Sequence, residues 1–263
     1  MKQKSVTILL PVHKIDGDYK TMFERAVKST ESFYDDVVLM VICPNNILGE
    51  VKKIDVGQKL SVQYLGHDEE TSFTHQINLG ISNTETEWFS ILEIDDEYRQ
   101  IWLKSMFSHV NEYTDVDVFL PIVRDVNVDG KFISFTNEST WAYGFTEKQG
   151  FLDNEVLLDF QNYQISGGLY KTSVIKDMGM FKENFKLTFP YEFLLRLTHN
   201  GVKIFTVPRI GYQHVNFRED SLFWKYKNDE NEKLSEEQVK FWLDTAKKEF
   251  FFKNNRDINQ TTT

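Results

Sequence analysis

The chain has 263 residues, 41% of them hydrophobic, enough for one large domain or two closely packed halves around a substantial core. Its 40 acidic against 30 basic side chains leave a formal charge of −10, which excludes broad electrostatic capture of nucleic acid or anionic lipid while leaving room for a local basic groove. The single cysteine, Cys43, cannot form an internal disulfide and sits in an apolar run, which fits a buried thiol in a reducing, cytoplasmic setting.

Val6 to Val12 is a short apolar run interrupted by Pro11 before any small-residue cleavage site, so it reads as a first strand rather than a signal peptide. No later stretch has the length of a membrane span. Tyr19 to Phe33 places Met22, Phe23, Ala26, Val27 and Thr30 at helical spacing, and Val37 to Ile42 is a second continuous apolar run, which completes a β-α-β unit. A strand is expected at Ser61 to Leu65, a helix at Phe73 to Ile81 and a strand at Trp88 to Ile94. This alternation predicts an α/β fold with a Rossmann-like, mostly parallel central sheet flanked by helices, and a ligand crevice at the carboxyl ends of its strands.

The second half changes character. Val116 to Val123 reads as a strand, and Asp129-Gly130 between alternating apolar residues marks a hairpin over Asp125 to Phe135, which implies a mixed sheet. Helices are expected at Tyr170 to Met178 and Tyr191 to His199, with Gly179 and Gly201 as stops, and Val202 to Val207 forms a last core strand closed by Pro208. Ser235 and Gln238 form a capping box opening a helix of about twenty residues, with Val239, Trp242, Leu243 and Ala246 on one stripe. Its further aromatics, Phe241, Phe250, Phe251 and Phe252, suit docking on the same domain first and a homodimer contact second. The tail from Asn254 to Thr263 is expected to be disordered.

The sharpest feature is Glu93-Ile94-Asp95-Asp96-Glu97, four carboxylates in five residues directly after an apolar strand. If the segment is extended, residues two apart share a side, so Glu93 and Asp95 converge on one cation while Asp96 turns elsewhere. The alternative is a solvated turn, since charge runs are usually exposed.

Several segments, in order, resemble glycosyltransferase family 2, a large inverting family with the A-type nucleotide-sugar-binding fold. They are Thr7 to His13, with its Pro11-Val12 pair; Asn78-Leu79-Gly80-Ile81; Glu93-Ile94-Asp95; Ser166-Gly167-Gly168-Leu169-Tyr170 with Gly179-Met180-Phe181; and Glu192 to Leu197 followed by Gly201 and Val207-Pro208. The resemblance spans roughly residues 5 to 222 and implies a glycosyltransferase domain over 1–222, with a nucleotide-sugar half at about 1–100 and an acceptor half at 101–222. Residues 223–263 are then a C-terminal helical extension and tail.

The resemblance implies transfer of a sugar, with inversion, from a nucleotide-diphosphate sugar to an acceptor hydroxyl on a glycan, lipid, protein or modified nucleic-acid base. Donor contacts fall on Pro11, Val12, His13, Asn78, Glu93, Arg218 and Ser221, and the acceptor side on Gly167 and Gly168, joined by Trp141 if its ring stacks on a sugar rather than packing the core. The cofactor is Mn2+ or Mg2+, bound directly by Asp95, with Glu93 on metal-bound water or ribose. His214 is either a further ligand, better suited to manganese, or a hydrogen-bonded structural residue.

Three positions depart from the family's pattern. Glu93 replaces an aspartate, and Cys43-Pro44-Asn45-Asn46 lacks the acidic pair that touches the nucleoside. The Glu-Asp pair that supplies the catalytic base falls on Phe189-Pro190. Glu192 is the nearest carboxylate, a base or an ion-pair partner of Arg196 at the favourable four-residue spacing. A binding or scaffold protein that has lost turnover is therefore the competing reading. A nucleotidyltransferase is disfavoured because no glycine-rich, lysine-bearing loop follows the first strand.

Overall fold

The computed structural model describes residues 5–68, 72–185, 187–219, 221–231 and 233–253, leaving out the side chains of residues 222 and 223. The first elements are β1 (Val6–Pro11), α1 (Asp18–Thr30), β2 (Val37–Pro44), α2 (Asn45–Val51), β3 (Ser61–His67), α3 (Phe73–Asn83) and β4 (Trp88–Ile91). They form a parallel half-sheet in the order β3-β2-β1-β4, with Val6 opposite both Val37 and Trp88. Successive residues of β1 serve opposite faces: Ile8 and Leu10 join the core beneath α1, and Leu9 joins the core beneath α3. Burial on both faces is why β1 and β2 read as unbroken apolar runs. Gly80 lets α3 approach closely, since a Cβ there would lie 2.6 Å from the Ile42 side chain and 2.9 Å from that of Leu9.

The chain continues through β5 (Glu97–Tyr98), α4 (Trp102–Glu112), β6 (Val118–Val126), β7 (Phe132–Thr136), β8 (Phe151–Leu152), α5 (Asn154–Asp159), β9 (Leu169–Lys171), α6 (Thr172–Asp177), α7 (Phe189–His199), β10 (Ile204–Val215), α8 (Leu222–Asn228) and α9 (Glu236–Glu249). The sheet runs on past β4 as β9-β6-β10-β5, with β7 added beside β6 and β8 beside β10. β9 is antiparallel to both β4 and β6, whereas β6 and β10 are parallel. The sheet is thus mixed beyond β4, and one continuous sheet passes through both halves of the chain.

Four sequence expectations need correction. The strand expected to reach Ile94 ends at Ile91, and the acidic segment turns. The helix expected over Tyr170 to Met178 splits into β9 and the shorter α6, because Leu169 and Tyr170 pair with Phe119 and Val118. Pro208 does not close the last strand: β10 passes it through an irregularity between Val207 and Tyr212, where a missing N–H costs no ladder bond. The C-terminal helix has 14 residues, and its capping box forms as expected.

This helix docks on its own chain. Ala246 and Phe250 are buried in the core that holds α7, and the Trp242 and Glu249 carbonyls accept bonds from Thr188 Oγ1 at 3.0 Å and Lys182 Nζ at 2.6 Å. Residues 254 to 263, the expected tail, lie outside the described residues. Among the described residues no helix is long and apolar enough to cross a membrane.

Candidate active site

A cleft of about 740 Å³ opens at the carboxyl edge of the sheet, within the range of small-ligand sites. Pro11, His13 and Gln76 line one end, Glu93 to Asp95 the middle, and Ser166, the start of α7 and the end of β10 the rest.

The middle is built by the turn after β4. Leu92 N–H still bonds the Leu9 carbonyl at 2.9 Å, and then the chain reverses, with Asp96 N–H donating to the Glu93 carbonyl at 3.1 Å. β5 follows and pairs antiparallel with β10, Tyr98 opposite Tyr212 and Glu97 opposite Gln213. That pairing brings the end of β10 against the acidic turn. The Asp96 carboxylate, fully buried, accepts the Val215 N–H at 2.8 Å and contacts His214 Nδ1 at 3.0 Å. Glu93 accepts the Ser166 hydroxyl at 2.6 Å, while its own N–H donates to the Tyr212 hydroxyl at 3.0 Å. Asp95 forms an ion pair with Arg218 Nε at 2.8 Å, and its carbonyl accepts from Arg25 at 2.7 Å.

Burial and crowding set the charges here. Burial first, and then the neighbouring Asp96, push the Glu93 carboxyl up to about 7, against the pull of His214 and the Ser166 bond. Burial and Asp96 also raise Asp95, with Arg218 opposing. Burial would depress His214, but the Asp96, Glu93 and Asp95 carboxylates overrule it and lift the imidazole to about 10. A group of acids that destabilise one another's charge is an environment a cation relieves.

One ligand atom each from Glu93, Asp96 and His214 lie within 4.8 Å of one another. Two carboxylates and an imidazole form a donor set suited to manganese, so these residues fit a divalent cation. The turn changes which acid belongs to this trio. Asp96, expected to point elsewhere, joins it, and Asp95, expected as the direct ligand, is turned toward Arg218. The alternation rule holds only for extended backbone, and this segment is not extended.

Of the expected donor residues, Pro11, His13, Glu93, Arg218 and Ser221 line the cleft. Ser221 also caps α8 by accepting the Trp224 N–H at 3.2 Å. Val12 is buried, and its carbonyl accepts from Gln76 Nε2 at 3.0 Å, so its role is to hold Gln76 at the cleft wall. Asn78 is spent inside the fold: its amide bonds the Phe181 carbonyl and N–H, both at 2.9 Å, tying α3 to the loop before α7.

The expected acceptor-side residues Gly167, Gly168 and Trp141 do not line the cleft and make packing contacts. Gly167 has φ of +76°, and a Cβ on it would sit 2.5 Å from the Tyr212 ring; its carbonyl accepts from Trp102 at 2.7 Å. A Cβ on Gly168 would meet Tyr170 at 2.6 Å. Trp141 stands edge-on to Phe205 and donates to the Thr206 carbonyl at 3.0 Å, so its ring serves the core. Glu192, the expected base, is fully buried in ion pairs with Arg196 at 2.8 Å and Lys182 at 3.1 Å and does not line the cleft. Phe189 and Pro190 do line it.

Four residues of this region are absent from the site residues expected from sequence: Asp96 and Tyr212, which bond the acidic turn and the end of β10, and Gln76 and Asp125, which line the cleft. Asp96 stands inside the acidic motif beside Glu93 and Asp95, and Tyr212 lies two residues before His214. No local pattern singles out Gln76 or Asp125, which reach the cleft through the order of the strands.

The sequence matches no protein-family model and no curated protein. Among solved structures the chain resembles S. aureus TarS, a glycosyltransferase. The complex of TarS 1-349 with UDP-GlcNAc superposes with a TM-score of 0.63 at 14% identity, over 83% of this chain and 60% of that one. The complex with UDP gives 0.61 at 16% identity, over 98% and 75%. A further TarS crystal structure gives 0.58 at 13% identity, and this chain spans 47% of its length. The architecture, a mixed central sheet flanked by helices, matches a glycosyltransferase nucleotide-sugar-binding fold.

Proposed function

We propose that the chain is a metal-dependent glycosyltransferase that moves a sugar from a nucleotide-diphosphate sugar to an acceptor hydroxyl, with inversion as in the family its motifs resemble. The observation that carries this reading is the convergence of Glu93, Asp96 and His214 at the carboxyl edge of a sheet folded like that of TarS. These three residues would hold Mn2+ or Mg2+, which when bound supplies positive charge against the diphosphate as it departs.

The chain's own residues account for the rest. The Val215 N–H and the Ser166 hydroxyl fix the carboxylates of Asp96 and Glu93, so the site is set before donor arrives. Arg218 is held at the cleft wall by Asp95 and over the Tyr19 ring at 5.0 Å, poised to exchange its carboxylate partner for phosphate oxygens. His13 and Gln76 stand at the β1 end, where the nucleoside would lie.

The test is donor binding and hydrolysis by the purified chain with manganese and a panel of nucleotide-diphosphate sugars. Binding and slow release of nucleoside diphosphate are expected, both lost in Asp96→Ala. No binding to any donor would sink the reading.

A second reading is a nucleotide-sugar-binding protein without turnover. It is favoured by Phe189 and Pro190, which line the cleft where the resemblance places the Glu-Asp pair. Tight donor binding with no hydrolysis and no transfer to any acceptor would support it.

A further inference from the structure

Among the described residues, three carboxylates line the cleft: Glu93, Asp95 and Asp125. Glu93 belongs to the trio with Asp96 and His214, and Asp95 is paired with Arg218. Asp125 belongs to neither group, and nothing in the proposed function so far uses it.

Its placement follows from strand register. β6 and β10 run parallel with Asp125 opposite His214, so the two side chains leave the same face of the sheet. One residue earlier the same pairing joins Arg124 to Gln213 by a 2.9 Å bond on the opposite face. β7 supplies the support. Ser134 Oγ and Thr136 Oγ1, two residues apart on that strand, donate to Asp125 at 3.0 and 2.6 Å. Both bonds fall on Oδ2, and Oδ1 accepts none among the described residues. Asp125 is only 3% exposed yet lines the cleft, so with one oxygen clamped its side chain has little freedom to move.

Resting on the transferase reading above, we propose that Asp125 Oδ1 is the general base for the acceptor, in place of the missing Glu-Asp pair. The acceptor O–H proton passes to Oδ1. The acceptor oxygen's electron pair forms the new bond to the anomeric carbon, and the bond from that carbon to the diphosphate oxygen breaks, its pair leaving with the nucleoside diphosphate. Other cleft groups suit this task less well. Phe189 and Pro190 carry no base, and the Tyr163 hydroxyl is pushed up to about 12 by burial and shares a bond with Ser139. His13 stands at the far end, edge-on to Tyr19.

The experiment uses the full chain with manganese, water as acceptor, and whichever nucleotide-diphosphate sugar it binds. Asp125→Asn is expected to lower kcat for donor hydrolysis at least about 100-fold, in the range a positioned base contributes, with donor Kd within about threefold of wild type. A kcat within about threefold of wild type overturns the assignment. In Asp125→Ala, sodium azide, a nucleophile that needs no deprotonation, should restore donor consumption at least about tenfold and yield the glycosyl azide. A donor-binding variant with no rescue counts against the base. Loss of donor binding in both variants would make Asp125 structural and the proposal wrong. Failure of the parent reading looks different: wild type itself then binds no donor, or binds without turnover, and the base falls with it.

Discussion

At the residue scale the site depends on contacts that glycine alone permits. Gly167 combines a left-handed backbone with close approach to Tyr212, whose hydroxyl receives the Glu93 N–H. Gly167→Ala should cost about 3 kcal/mol, from backbone strain and overpacking together. Urea denaturation checks this, and a loss under about 1 kcal/mol would refute the packing account. The residue types at the cleft were legible from sequence because the carboxylates follow an apolar strand of an α/β chain and stand in order among the other segments of the resemblance. Which of them share a partner was not. Asp96 stands with Glu93 and His214 while Asp95 faces Arg218, because the Asp96 N–H bond to the Glu93 carbonyl turns the backbone and cancels the two-residue alternation.

At the scale of elements, α7 illustrates the same limit. The Glu192 to Arg196 spacing announced an ion pair, but only the packed helix shows that Lys182 joins it and that the group is sealed from the cleft. Glu192→Ala should therefore lower stability by roughly 3–5 kcal/mol, the cost of stranding buried cations, while leaving donor affinity within about threefold in the folded fraction. Denaturation and donor titration separate the two effects; full stability with abolished turnover would restore Glu192 as the base. Elements with continuous apolar runs, β1 and β2, were readable because burial on both faces leaves no ambiguity. β9 was not readable, since three residues that pair with distant strands carry no local period.

For the whole molecule, the cation trio joins segments far apart in the chain, so cation binding should be felt as global stability. A ligand that binds only the native state adds about 2.7 kcal/mol at a hundredfold excess over its Kd. For a chain of this size that raises Tm by roughly 5–10 °C. Manganese should produce such a rise in wild type and none in His214→Ala; no rise in wild type would argue against the metal site. The overall architecture was legible because strands and helices alternate through the first hundred residues. The mixed half was visible only as a change of pattern, since its order depends on pairings such as β5 with β10.

The irregular stretch of β10 carries a constraint on length. Between Val207 and His214 this strand spends seven residues where β6 spends four between Pro121 and Asp125. In an unbroken ladder Gly211 would stand opposite Asp125, and the imidazole would fall beyond the end of β6. A change of one residue between Pro208 and Gly211 that the irregular stretch did not take up would carry His214 off Asp125 and onto the other face of the sheet.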